Sequence, residues 1–280
     1  MFDKLKQVRI SKRARRGAVL GLCLCAAAGL GMHLLPGGAP VGCTQEDLAD
    51  TRAVMAVQAS VSGSTDAQSG AAADKVVYLT FDDGPSATTE SVLDTLKAEG
   101  VPATFFVMAA DNNEEYLPLL ERTVQEGHLI ALHTCSHDYK SIYKSPDAYW
   151  DDLQKLREKL LPYVPADHEI KWLRFPGGST NTVSRKYGGS SIMKELKAQA
   201  ETYGFRYVDW NVCANDAVGG RHSPSEIYKN VVEEAAGHNT CVVLMHDTKK
   251  ETVQALGDII RWFKNAGYRF DTVDHMPKSA

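Results

Sequence analysis

Between Lys75 and Met276 the chain keeps repeating one alternation, a short apolar, β-rich run followed by a stretch with helical spacing. The runs are 76–81, 103–108, 129–133, 171–175, 207–211, 241–246 and 268–272. Helix-type segments at 86–99, 116–127, 145–161, 191–203, 225–236 and 252–265 separate them. Such alternation predicts a mostly parallel sheet covered by helices. Ionisable residues gather where the runs end: Asp82 and Asp83, His133 and His137, Arg174, Asp216, then His246 and Asp247. Groups carried on five strands converge more readily inside a barrel than along the crevice of an open sheet. The predicted fold class is therefore α/β, a distorted (β/α) barrel of about seven strands, and roughly 200 residues suffice for its core.

What precedes that domain has a different character. Seven Lys/Arg against Asp3 leave residues 1–16 at +6, so a chain of net charge −4 carries −10 in the remainder. An acidic body excludes a general nucleic-acid binder, whose folded domain would itself supply the positive field. Residues 17–35 contain no Asp, Glu, Lys or Arg. That length just spans a bilayer as a helix, and the basic tip before it stays cytoplasmic. The expectation is a transmembrane or signal helix, with a retained anchor favoured over a cleaved signal because Pro40 follows the small residues Gly37, Gly38 and Ala39. Residues 36–74, rich in Ala, Ser, Gly and Thr, read as a flexible linker. The catalytic or binding domain, 75–276, then lies outside the cytoplasm, tethered to the membrane or secreted. Cys135, Cys213 and Cys241 are scattered through it without a CxxC pair, which fits neither a disulfide scaffold nor a cysteine zinc module.

Asp82 and Asp83 stand side by side before Gly84-Pro85, an arrangement that an ordinary Asp-Gly turn also produces. His133 and His137 are spaced i, i+4; on a helical turn both would face one metal, although two structural histidines fit the same spacing. Two imidazoles with one carboxylate leave coordination positions open for water and substrate, the setting for hydrolysis. Cys135, between them, points away on such a turn and reads as packing. Arg174 ends an apolar run before Pro176, Gly177 and Gly178, where a permanent cation can pair with a catalytic carboxylate. His246 ends the run 241–245, a position where a lone histidine is more often structural.

Taken in order, TFDDGP (80–85), HTCSH (133–137), RFPGG (174–178), DWNV with NDA (209–217) and LMHD (244–247) resemble the successive motifs of the polysaccharide deacetylases, the NodB-homology domain of carbohydrate esterase family 4. The resemblance covers 75–276 and implies a metal-dependent N-deacetylase. Asp83, His133 and His137 would hold a divalent metal, commonly Zn2+, with Co2+, Mn2+ or Ni2+ also suited. Asp82 would be the general base, Arg174 its partner, His246 the general acid and Asp216 the group that orients it. The Gly177 N–H would stabilise the oxyanion, and Pro176, Trp210 and Leu244 would line the substrate pocket. Ala217 stands where family members often carry Trp. The implied partner is an N-acetylated glycan, best suited to be cell-wall peptidoglycan, acted on by a monomer. The rivals are an inactive glycan-binding protein on the same fold, a deacylase of another C–N substrate, and a phosphate-ester hydrolase. The last lacks a Gly-rich phosphate loop with Lys.

Overall fold

The computed structural model describes residues 75–165, 168–220 and 222–277. The basic tip, the apolar segment 17–35 and the linker 36–74 lie outside the described residues. Among the described residues, no helix is long and apolar enough to cross a membrane.

The elements follow the expected alternation. In chain order they are β1 (Val76–Asp82), α1 (Thr89–Glu99), β2 (Thr104–Val107), α2 (Leu119–Gln125), β3 (Leu129–Leu132), α3 (Tyr139–Ile142), α4 (Pro146–Leu160) and β4 (Trp172–Leu173). After these come α5 (Arg185–Gly188), α6 (Ile192–Thr202), β5 (Arg206–Tyr207), β6 (Val212–Cys213), α7 (Pro224–Ala235), β7 (Thr240–His246), α8 (Lys250–Asn265) and β8 (Arg269–Phe270). The sheet order is β5-β4-β3-β2-β1-β7-β6, with β8 beside the start of β1, and every pairing is parallel.

The run 207–211, expected as one strand, serves both edges of the sheet instead. Arg206 and Tyr207 pair with β4, and the Val208 N–H still donates to Leu173 O at 3.3 Å. By Asn211 the chain has changed partner: its N–H donates to Val242 O at 3.2 Å, and Val212 and Cys213 pair with β7. Four residues reach at most about 14 Å, so the two edges must curl toward each other. Yet β5 and β6 cannot pair in parallel, which needs a crossover of a dozen residues or more. The distorted barrel expected from the sequence is thus a curled, parallel sheet whose opening is bridged by 206–213.

Strand residues alternate between two cores, as the period of two requires. Val77, Leu79 and Phe81 of β1 join Val243 and Met245 of β7 in the layer beneath the helices. Val76 and Tyr78 join Phe106, Ala131, Trp172, Trp210, Val242 and Leu244 in a smaller cluster on the concave face. Continuing that second parity past the apolar residues gives Asp82 on β1, His133 after β3, Arg174 after β4 and His246 on β7.

Helix boundaries follow local chemistry. Ser145 accepts the Ala148 N–H ahead of α4, with Pro146 in the first turn, and Ser223 with Glu226 forms a reciprocal capping box ahead of α7. On α8, Ala255, Leu256, Ile259, Ile260 and Phe263 form one buried stripe against α1 and α7. Leu256 is fully buried, so Leu256→Ala should cost about 2–5 kcal/mol in urea unfolding, with the site geometry retained.

Candidate active site

The turn after β1 presents the two aspartates differently. Asp82 is the last strand residue and points into the concave face, where its Oδ1 accepts from Arg174 Nη1 at 2.9 Å. Asp83 takes φ +72°, a left-handed conformation that Asp tolerates better than most L residues, and this swings its carboxylate to a new direction. An ordinary Asp-Gly turn would need Gly84 only for its backbone freedom. Gly84 is required for another reason: a Cβ there would lie 2.0 Å from Asp247 Oδ2. The sharp bend is at Asp83, and the glycine makes room for a buried carboxyl.

His133 follows β3, and its Nδ1 donates to Arg174 O at 2.8 Å, leaving the Nε2 lone pair exposed toward Asp83. His133 Nε2 and His137 Nε2 stand 3.6 and 3.7 Å from Asp83 Oδ1. The two rings do not ride on a helical turn, as their spacing suggested. Residues 133–138 are irregular, with His137 at φ +52°, and α3 begins only at Tyr139. Asp152 on α4 holds that loop by accepting the Cys135 N–H at 2.6 Å and the Ser136 N–H at 3.3 Å. Cys135 is buried packing, its Sγ donating to Ala109 O at 3.5 Å.

These three residues fit a metal on their own chemistry. Asp83 Oδ1 is buried without a hydrogen-bond donor although two imidazole nitrogens face it, and all three donor atoms lie within 4.8 Å of one another. Tetrahedral ligands at about 2.0–2.1 Å from an ion stand roughly 3.4 Å apart, close to the spacing here. Burial pushes His133 down to about 4, keeping it neutral as a ligand must be. Burial alone would raise Asp83, but His137, His246 and His133 together hold it below its ordinary value.

On the far side, His246 ends β7. Its Nδ1 donates to Asp216 Oδ1 at 2.8 Å, and its backbone N–H donates to Asp216 Oδ2 at 2.8 Å. Thr252 Oγ1 supplies a further donor to Asp216 at 2.6 Å. His246 Nε2 stands 3.9 Å from Asp83 Oδ2. Burial opposes protonation of His246, but the Asp216 carboxylate, with Asp83 and Asp82 behind it, pushes it up to about 9. The same contact keeps Asp216 below its ordinary value despite burial.

Arg174 is fully buried and joins these halves. It donates to Thr80 Oγ1 and Asp82 Oδ1, and to the carbonyls of Val208 and Asp209 at 3.0 and 3.2 Å. Its guanidinium lies 4.1 Å from the Phe106 ring centre and 5.6 Å from that of Trp210. Pro176 O accepts from Tyr143 Oη at 2.6 Å and from Asn181, which fixes the following turn. Gly177 has φ +76°, and its N–H makes no hydrogen bond with the described residues. Trp210 and Leu244 lie buried together on the concave face.

Asp247 has no role in the reading of the motifs, and Asn113, Thr80 and Thr252 are not singled out there. Asp247 accepts from Thr89 Oγ1 at 2.6 Å and is pushed up to about 7, chiefly by burial and then by the charge of Asp83. The aromatic residues that follow the histidine loop, Tyr139, Tyr143, Tyr149 and Trp150, are mostly interior packing. Tyr143, Tyr149 and Trp150 are buried in the main core, while Tyr139 is half-buried with its ring 5.5 Å from His137.

The comparisons agree with this geometry. The family model described as polysaccharide deacetylase matches residues 69–199, which carry Asp82, Asp83, His133, His137 and Arg174. The chain is 32% identical to YheN of Bacillus subtilis over 208 residues, 72% of this chain and 68% of that protein. It is 29% identical to a peptidoglycan-N-acetylglucosamine deacetylase of Bacillus cereus, over 70% of this chain and 68% of that one. The solved catalytic domain of a peptidoglycan N-acetylglucosamine deacetylase from Eubacterium rectale is 35% identical and superposes with a TM-score of 0.69, covering 79% of this chain and 97% of that domain. Five motif segments carried to the rim of one curled parallel sheet, together with these likenesses, place the chain in the polysaccharide deacetylase family, carbohydrate esterase family 4.

Proposed function

We propose that the protein is an exported, metal-dependent hydrolase that removes N-acetyl groups from an amino-sugar polymer, with cell-wall peptidoglycan as the substrate. The observation that carries this reading is the convergence of Asp83 with His133 and His137, while Asp82 and His246 flank them as separate proton-handling groups. The peptidoglycan deacetylases named among the similar proteins support the substrate class. A divalent cation at Asp83, His133 and His137, Zn2+ by the donor set, would polarise the acetyl carbonyl and bring water's acidity toward neutral pH.

The chain's own residues then divide the remaining work. Arg174 occupies Asp82 Oδ1, which leaves Oδ2, 3.9 Å from His133 Nε2, to take a proton from the attacking water. Asp82 can serve as base because Asp83 does the binding, and a carboxylate oxygen committed to a cation is a weak base. The Gly177 N–H is free to donate to the developing oxyanion. Trp210 and Leu244 supply apolar surface for the acetyl methyl group. As the C–N bond breaks, protonated His246 gives its Nε2 proton to the departing amine, and Asp216 keeps the imidazolium oriented. Acetate and a free amino sugar result. The apolar segment 17–35 would hold the enzyme at the outer face of the membrane.

Acetate release from peptidoglycan, chitin oligomers and poly-N-acetylglucosamine, with and without chelator, tests the reading. Release from peptidoglycan that chelator abolishes and Zn2+ restores is expected; glycan binding with no release from any of the three would mark an inactive binding protein. Asp82→Asn should lower kcat by about 10²–10⁴-fold while zinc content by elemental analysis stays unchanged. Asp216→Asn removes the charge that raises His246. The alkaline limb of the kcat profile, where His246 loses its proton, should therefore move to lower pH, a shift read directly from pH–rate curves.

A further inference from the structure

The turn that carries both aspartates is held by a side chain outside every motif. Asn113 is fully buried in the connection between β2 and α2. Its Nδ2 donates to Asp83 O at 2.9 Å and to Pro85 O at 3.0 Å. Between those carbonyls, Gly84 O accepts the Met108 N–H at 2.8 Å. Three successive carbonyls, Asp83 to Pro85, are thus tied to the single segment 108–113. That segment is fixed in turn: Ala109 O accepts from Lys159 Nζ at 2.8 Å and from Cys135 Sγ, and the Asn113 N–H donates to Ala110 O at 2.8 Å.

We infer that Asn113 is a positioning residue, whose amide nitrogen locks Asp83 in its left-handed conformation and so aims the carboxylate at His133 and His137. A left-handed Asp persists only where its surroundings overdetermine it. Without the Nδ2 clamp, the Asp83 carbonyl loses its one side-chain partner among the described residues, and Asp83 can relax toward negative φ, carrying its carboxylate away from the two imidazoles. The amide acts through its nitrogen. Asn113 Oδ1 has no hydrogen-bond partner, an orphan that an apolar residue of the same size would not bury. Only a group with two N–H donors on one atom bridges two carbonyls spaced two residues apart in this way. On the opposite side, Asp247 packs against Gly84 and blocks the turn from shifting that way.

This inference rests on the metal reading above, and the test separates the two. Zn2+ affinity of the purified full-length chain is measured by chelator competition for the wild type, Asn113→Ala, Asn113→Asp and His137→Ala, with thermal unfolding as the control for folding. Asn113→Ala should bind Zn2+ about 10–100-fold more weakly. The KM for glycan should hold, and activity lost at limiting zinc should return at saturating zinc. Asn113→Asp, which keeps the shape and sets an acceptor against two carbonyls, should be weaker still; if the alanine variant does not fold, Asn113→Ser carries the measurement. Affinity within twofold of wild type in folded Asn113 variants, with His137→Ala strongly weakened, would overturn the positioning role and spare the metal site. Unchanged affinity in His137→Ala would overturn the metal site itself.

Discussion

A guanidinium with no exposed surface is the constraint around which this site is arranged. Arg174 must find partners for its donors inside the sheet, because a buried unpaired cation is far costlier than the contacts it displaces. It finds them on two parts of the chain: Asp82 and Thr80 on β1, and the Val208 and Asp209 carbonyls in the segment that bridges the sheet's two edges. Thr80 passes the network on to Val243 O of β7 at 2.6 Å, and the Arg174 carbonyl fixes the tautomer of His133. The residue that completes the curled sheet is therefore the same one that holds the base and orients a ligand. Loss of one side of such a buried pair typically costs about 3–5 kcal/mol, so folding and chemistry are not separable at this position.

Four buried or nearly buried carboxyls sit within one small region, and their surroundings do not leave them all in one state. Asp83 faces three imidazoles and stays ionised below its ordinary value. Asp216 receives two donors from His246 and one from Thr252, with the same outcome. Asp247 has a single hydroxyl donor and an orphaned Oδ1, and burial takes it up to about 7. Asp82 is matched by Arg174. Among the histidines the contrast is as sharp: burial keeps His133 neutral, whereas at His246 burial is outweighed by Asp216 together with Asp83 and Asp82. A ligand and an acid have been made from the same side chain by what stands behind each ring.

Much of this was legible in the chain. The strand runs fixed the sheet's parallel character, and extending their alternation by one or two residues put Asp82, His133, Arg174 and His246 on the concave face. The motifs carried Asp83, His137, Gly177 and Asp216 with them. What misled were features whose meaning depends on contacts distant in sequence. An i, i+4 histidine pair suggested a helix, but Asp152 on α4 captures the intervening N–H groups and holds a loop. A glycine after two aspartates reads as an ordinary Asp-Gly turn, yet Asp247, far along the chain, is what demands it. Asn113 left no mark at all, since an asparagine beside Asp111 and Asn112 reads as an ordinary loop residue.

By itself, then, the sequence determined the period of its strands, the parity of the residues that face inward, and the kinds of donor available for catalysis. These are properties of neighbouring residues along one chain, and a strand's pleat enforces them locally. The tertiary structure alone decided how 206–213 is shared between two edges, where Asp83 points, and which carboxyl keeps its proton. Each of those depends on burial and on partners brought together by the curl of the sheet, and neither exists until the chain has closed on itself.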